Sequence, residues 1–498
     1  MRIPLLCSLV IGLLSAGDSA PCQAAPGPSA TQQLQALSPL SASNTSIVDA
    51  AGAPVMLRGV NLGSWIYNEA WISAIDYPLH GRLAVLGEQT GLSAPVKETL
   101  VELGPFESGS EAEYLAAFET ALSTRVSVAE AQALTEQALD YPVIYDDADL
   151  KLLDMLEQTY GLDGREAIYT SFLQSWITQF DIQFIAGLGM NVVRVPMGYR
   201  MLLDLPAAAK PSAPLRFRAS TFQALDQLLT WCEQAGIYAV LDIQEAPGGQ
   251  NEYSGPSTLY TDPEMQQLTV ELWLELSRRY KSRNVVAAYS LLAEPYSAPD
   301  VETMMAMYDK LYDAIRATGD NHLLVIHDGF KGMNKLPAPS TYGWKNVLYS
   351  THLFEWGAKP YAAWKTVIKA TETAFKKAQA KQNVPYFVGS FSTMYDEDAA
   401  YRAFRDYLTT FDTNKWSWAM WTYKRIDDPL EYEYYGTTTA WGIWQRLNET
   451  ADWQRADLYL DGESLLVEKL SGYTTEKMLL NNRLYTLLSD HLRTPSVH

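Results

Sequence analysis

The chain has 498 residues, and 47% of them are apolar, which is enough to bury a large core and excludes an intrinsically disordered chain. Against 58 Asp and Glu stand only 38 Lys and Arg, a formal charge of −20. That balance excludes a partner held through phosphates, whether nucleic acid or an anionic membrane surface, and suits a neutral ligand.

Arg2 precedes an apolar run over 3–16 that is too short to span a bilayer, and Ala20, Ala24 and Ala25 offer cleavage sites. Residues 1–24 are expected to be a signal peptide, an uncleaved anchor being the alternative. The mature protein is then secreted or periplasmic, without membrane insertion. Residues 25–44 carry no charge and are rich in Ala, Pro, Ser and Gln, the composition of a linker. Strand-like runs at 46–49 and 55–61 flank Ala51-Gly52-Ala53-Pro54 and predict a hairpin. Over 74–148, Ser110 with Glu113 and Ser127 with Glu130 have capping-box spacing, and Leu115, Phe118 and Leu122 form an apolar stripe. These predict a helical insertion.

From about 149 onward, helical patterns near 179–188, 221–235, 263–281 and 301–317 alternate with apolar runs at 190–196, 237–242, 285–292 and 323–326. Further runs follow at 347–350, 385–388 and 416–421. With the run at 55–60 these make eight strands, each apolar on both faces, as strands covered by helices must be. The pattern predicts an α/β fold, a (β/α)8 barrel over 45–492 with the hairpin as lead-in. No Gly-x-Gly-x-x-Gly follows a strand, which argues against a dinucleotide fold. Cys7, Cys22 and Cys232 make no disulfide framework, and Cys232 shares a helical face with Phe222, Leu225 and Leu229 as a buried thiol would. No Cys/His cluster has metal-ligand spacing and no cofactor motif is visible, so neither a metal nor a cofactor is expected.

Chemistry in such a barrel belongs at the C-terminal strand ends. There stand Asn61, Arg194, Asp242 with Gln244 and Glu245, Glu294, His327 with Asp328, His352, Ser390 and Trp421. These segments resemble glycoside hydrolase family 5, a (β/α)8 family of retaining β-glycosidases, and within it the exo-β-1,3-glucanase-like members. Leu57-Arg58-Gly59-Val60-Asn61-Leu62-Gly63-Ser64-Trp65 is similar to that family's first strand, and Gly189-Met190-Asn191-Val192-Val193-Arg194-Val195-Pro196 to its second. Ala246-Pro247-Gly248-Gly249-Gln250-Asn251 is similar to the loop after its third. Leu292-Ala293-Glu294-Pro295 stands where the family carries Asn-Glu-Pro, and Val388-Gly389-Ser390-Phe391 where it carries Gly-Glu-Phe. Trp421-Thr422-Tyr423-Lys424 is similar to its eighth strand.

The resemblance implies a saccharide ligand of the β-glucan type. It assigns Glu294 as acid/base, Ser390 to the nucleophile position, and Arg194, Gln244, Asn251, Ala293, His352 and Trp421 to substrate binding. Trp65, Trp71 and Trp356 are further candidates for stacking on a sugar face. Retaining hydrolysis needs two carboxyl groups about 5–5.5 Å apart. Ser390 has none, Ala293 replaces the Asn that holds the sugar 2-hydroxyl, Gln244 replaces a His, and Phe354 replaces a Tyr. Arg194, which would hold the nucleophile carboxylate, is expected to bind another acid. The sequence thus predicts a divergent homologue that acts on or binds β-glucan-type saccharides, with the standard retaining mechanism lost. The alternative is an active O-glycosyl hydrolase with Glu294 as acid and Glu245, Asp328 or Glu355 as relocated base. An inverting geometry tolerates carboxyl groups about 6.5–9.5 Å apart. A third possibility makes the insertion a docking site and the barrel its support.

Overall fold

The computed structural model describes residues 36–73, 75, 79–103, 111–140, 148–205, 212, 214–252, 257–355, 359–393, 395–426, 442–447, 456–458 and 461–493. The expected signal peptide 1–24, most of the expected linker 25–44, Ser110 and Trp356 lie outside these residues, as does the side chain of Trp71.

Three short strands lead in: β1 (Ser41–Ser43), β2 (Ser46–Val48) and β3 (Pro54–Val55), hydrogen-bonded in that order. The expected hairpin is present, but its second run divides. Val55 pairs with Ile47, whereas β4 (Arg58–Asn61) leaves for the barrel. Residues 41–43, which composition assigns to the linker, add an edge strand to this small sheet.

The barrel continues with β5 (Val192–Gly198), β6 (Tyr238–Glu245), β7 (Val286–Ser290), β8 (Leu323–His327), β9 (Val347–Phe354), β10 (Tyr386–Ser392) and β11 (Ser417–Met420). All pairings are parallel, and the ring closes in the order β10-β11-β4-β5-β6-β7-β8-β9. This is the (β/α)8 barrel expected from the alternation of apolar strands and amphipathic helices. Helices Ala219–Ala235, Pro263–Tyr280, Val301–Ala317, Tyr361–Gln382 and Asp398–Thr413 occupy successive crossovers. Between β8 and β9 two single 3₁₀ turns, Met333–Lys335 and Pro339–Thr341, stand in place of a helix. Gln179–Leu188 starts at a Thr178/Asp181 capping box and stops at Gly189, whose φ of 99° turns the chain into β5. Ala219–Ala235 stops the same way at Gly236, φ 71°. An L side chain at either glycine would be strained there.

Inside the barrel the lower layers are apolar. Leu57, Val192, Val240, Ala288, Val325, Leu348, Phe387 and Ala419 pack there, and Leu40 and Ile47 of the lead-in join them. The lead-in therefore plugs the N-terminal end and leaves the other end for chemistry. Side chains alternate along a strand, so inward positions further up carry Asn61, Arg194, Asp242, Ser290, His327 and His352. Cys232 is fully buried in the outer layer, and burial pushes its thiol up, as packing requires and nucleophilic chemistry does not.

Helices Leu79–Thr90, Ser93–Leu103, Glu111–Leu122 and Val128–Asp140 form the expected insertion. Leu83, Leu86, Val96, Leu100, Leu115, Phe118, Leu122 and Leu134 make a core of their own. Ser127 and Glu130 close a reciprocal cap. The long helix Ala148–Trp176, interrupted at Gly161, then brings Phe172 and Trp176 back to the barrel's outer core. Beyond β11, short strands β12 (Lys424–Arg425), β13 (Trp444–Leu447) and β14 (Met478–Leu480) form a second small sheet. Among the described residues no helix is long and apolar enough to cross a membrane.

Candidate active site

The mouth is organised around Arg194, which is 1% exposed. Its Nη1 donates to Asn61 Oδ1 at 2.7 Å, and its Nη2 lies 2.7 Å from Asp242 Oδ2 and 3.1 Å from Gln244 Oε1. A buried guanidinium needs such partners. Asp242 supplies the acid that Arg194 was expected to find. Burial raises the Asp242 carboxyl and the Arg194 charge opposes that rise. Asn61 spends its amide on the carbonyls of Gly389, Ala419 and Met420, and so ties β4 to β10 and β11. Arg194 and Gln244 thus form part of the floor beneath the mouth.

Glu294 follows β7 on a backbone of φ 47°, an uncommon conformation for a residue with a side chain. Its carbonyl accepts from Asn251 Nδ2 at 3.1 Å and from the Tyr296 amide at 2.7 Å. Asn251, expected to touch substrate, therefore holds the backbone of Glu294. Gln250, for which the sequence suggested no role, is fully buried. It donates to the carbonyls of Gln244 and Ala293 and accepts from the Ala246 amide, which locks the loop after β6 against the segment bearing Glu294. The only sign of this in the sequence is an amide residue inside a Pro-Gly-Gly loop. Ala293 is fully buried, and its methyl offers no polar contact.

His352, on β9, places Nδ1 2.6 Å from Glu294 Oε1. Burial raises the Glu294 carboxyl, against the lowering influence of His327 and Arg194. Burial and Arg194 hold His352 well below the ordinary imidazole range. Both shifts disfavour charge: the carboxyl keeps its proton to higher pH than usual, and the imidazole stays neutral to lower pH. His327 packs edge-on against His352 with ring centroids 4.5 Å apart, and its Nδ1 accepts from the Gly329 amide.

Ser390 lies opposite His352 in the β9/β10 pairing, just past an irregularity at Gly389. It is 1% exposed, and its hydroxyl has no hydrogen-bond partner among the described residues. Trp421 is 5% exposed and packs near Gly63 and Ile72, so most of its ring is covered. Trp65 is 2% exposed and donates from its indole to the Leu173 carbonyl, a packing role. Phe330, which sequence reasoning passed over, is half-exposed just beyond β8, with its ring edge-on to His327.

The carboxylates considered as relocated bases are placed differently. Asp328 is buried, its acidity shifted by burial to about 6, and it caps the turn by accepting from the Phe330 amide. Glu355 pairs with Lys359 at 3.5 Å on the rim. Glu245 is 1% exposed at the end of β6.

Residues 157–426, more than half of the chain, match the model of the family Cellulase (glycosyl hydrolase family 5). The chain belongs to glycosyl hydrolase family 5. Among curated family relatives it is 27% identical over 312 residues to a beta-xylosidase of Phanerodontia chrysosporium, covering 57% of this chain and 63% of that one. It is 31% identical over 227 residues to a probable glucan 1,3-beta-glucosidase A of Neosartorya fischeri, covering 43% and 51%. The chain thus spans between half and two thirds of the length of these relatives. Among solved structures, an endogalactoceramidase superposes with a TM-score of 0.53 over 87% of this chain and 85% of that one, at 16% identity, which supports the fold.

Proposed function

We propose that the barrel mouth of this family 5 protein binds a β-glucan-type saccharide, that Glu294 keeps the proton-donating half of the family's chemistry, and that the two-step retaining mechanism is lost at Ser390. One observation carries this reading. The Glu294–His352 pair, buried at the imidazole and partly open at the carboxyl, suits an acid, while the residue across the strand from His352 offers a hydroxyl in place of a second carboxyl. The half-exposed ring of Phe330 adds a flat apolar face at the rim, suited to the face of a pyranose. The relatives named as glucan 1,3-beta-glucosidases support the ligand class. The apolar run over 3–16 supports export from the cytoplasm.

The test combines binding and turnover. The purified protein is heated with β-1,3-, β-1,4- and β-1,6-linked gluco-oligosaccharides, and sugar release from the matching glucans and aryl β-glycosides is measured beside Glu294→Gln. Saturation near 100 Kd is worth about 2.7 kcal/mol and should raise the melting temperature by several degrees for at least one linkage. Any residual glycoside turnover should fall by about 10²–10⁴-fold in Glu294→Gln. No shift with any oligosaccharide overturns the ligand class. Turnover untouched by Glu294→Gln overturns the role of the acid.

A further inference from the structure

Ser390 is a buried hydroxyl with no partner among the described residues. Paired residues in neighbouring parallel strands face the same side of the sheet, so Ser390 shares the inner face with His352. The imidazole is held by its other end. Nδ1 is bound to Glu294 Oε1 at 2.6 Å, and Nε2 lies against β10, where a Cβ added at Gly389 would sit 3.0 Å from it. Only the missing side chain of Gly389 lets the ring lie so close to the strand that carries Ser390.

We propose that Ser390 joins the His352–Glu294 pair in a hydroxyl–imidazole–carboxylate relay when an ester binds, the Ser390 hydroxyl turning to His352 Nε2, and that this relay cleaves carboxylic esters with short acyl groups. The order of groups is the one that activates serine nucleophiles on unrelated folds: a carboxylate orients the imidazole through Nδ1, and Nε2 is left to take the hydroxyl proton. In the first step Ser390 Oγ bonds to the acyl carbon while its proton passes to His352 Nε2. The ester C–O bond then breaks, and the departing alkoxide takes that proton. In the second step water attacks the acyl-serine carbonyl, its proton passes to Nε2, and Ser390 leaves with the proton restored. The products are the alcohol and the carboxylic acid, with no other reactant. The tight burial around Ser390 limits the acyl group to a small one such as acetyl.

A donor for the developing oxyanion stands beside the relay. Because His327 Nδ1 accepts from the Gly329 amide, a neutral His327 carries its proton on Nε2, and that atom is buried without a partner among the described residues. Burial and the neighbouring His352 hold His327 well below the ordinary imidazole range, so the neutral form prevails.

The ester chemistry does not depend on the saccharide reading, and the two are tested apart. The full chain is treated with a fluorophosphonate probe and digested for peptide mass spectrometry, and p-nitrophenyl acetate hydrolysis is followed in parallel. The expected result is an adduct on Ser390. Ser390→Ala should remove it and lower acetate turnover by at least about 100-fold, and His352→Gln should lower both to a similar degree while circular dichroism is unchanged. A folded wild-type chain with no adduct on Ser390 overturns the proposal, as does turnover that survives Ser390→Ala. An adduct in a chain that shows no melting shift with any oligosaccharide sustains the relay and removes the saccharide reading alone.

Discussion

Both proposed reactions of the site turn on one residue, Glu294. Its left-handed backbone is held by bonds from Asn251 and Tyr296, and its carboxyl is raised by burial. The groups that face it are His352 from β9, His327 from β8 and Arg194 from β5, with the Asp242 carboxylate behind Arg194. As an acid Glu294 works only while protonated, so glycosidic cleavage should be full below its raised pKa and lost as pH rises through it. The ester relay needs the carboxylate form, with the imidazole proton on Nδ1 and Nε2 free. Acetate turnover should therefore rise over the same pH interval, which lies above the usual 4.5. Profiles of kcat/KM for an aryl glycoside and an aryl acetate check this, and two limbs running in the same direction would contradict it. Glu294, His352, Arg194 and Ser390 were legible in the sequence because each stands at the end of an apolar strand. The duties of Asn251, Gln250 and Gly389 were not. They depend on contacts with Glu294, Ala293 and His352, which lie 37 or more residues away in the chain.

Strands and helices raise a different question, that of how the ring closes between its first and last strands. Asp412, near the end of helix Asp398–Thr413, accepts from Arg58 Nε at 3.1 Å on β4 and from the Trp418 indole at 3.1 Å on β11. It also pairs with His491 at 3.1 Å on the helix Asn482–Arg493. One carboxylate thus joins the seam strands to the C-terminal helix. Burial alone would raise Asp412; the His491 bond, the Arg58 charge and the Trp418 bond together hold it below the ordinary range. Its contribution to stability is present above the unfolded-state pKa and is lost as pH falls through the lowered folded value. Asp412→Asn should cost about 1–3 kcal/mol in urea denaturation at neutral pH, with the difference from wild type shrinking in acid. A gap that stays constant with pH would show that the charge of Asp412 is not what holds the seam. The strands themselves were legible as apolar runs. The division of 55–61 between the lead-in and β4 was not, because both parts are apolar and only the plugging of the barrel separates them.

Across the whole molecule, two hydrophobic cores are built side by side in sequence but apart in contacts. The insertion's helices share Leu83, Val96, Leu115, Phe118 and Leu134 among themselves, while the barrel has its own inner and outer clusters. Such a unit should melt as its own step. Phe118→Ala, at a fully buried site, should cost the insertion about 3–5 kcal/mol and lower one calorimetric transition while leaving the barrel's in place. Both transitions moving together would show that insertion and barrel fold as one cooperative unit.

The local pattern by itself determined much of this protein. Apolar runs of strand length alternating with amphipathic helices dictate a helix-covered parallel sheet, and the ordered strand-end residues carried the resemblance to family 5. The same resemblance placed Ser390, a residue without a carboxyl, at the expected nucleophile position, a reading that rests on residue identity and needs no coordinates. Only the tertiary structure decided which polar groups meet. Asn61 bonds to Gly389 and Met420, and Arg194 faces Asp242, because the ring closes and not because of any spacing along the chain. The proton affinity of Glu294 belongs to the same class of property. It is set by lost solvent and by His327 and Arg194, groups that different strands bring together only when the barrel is closed.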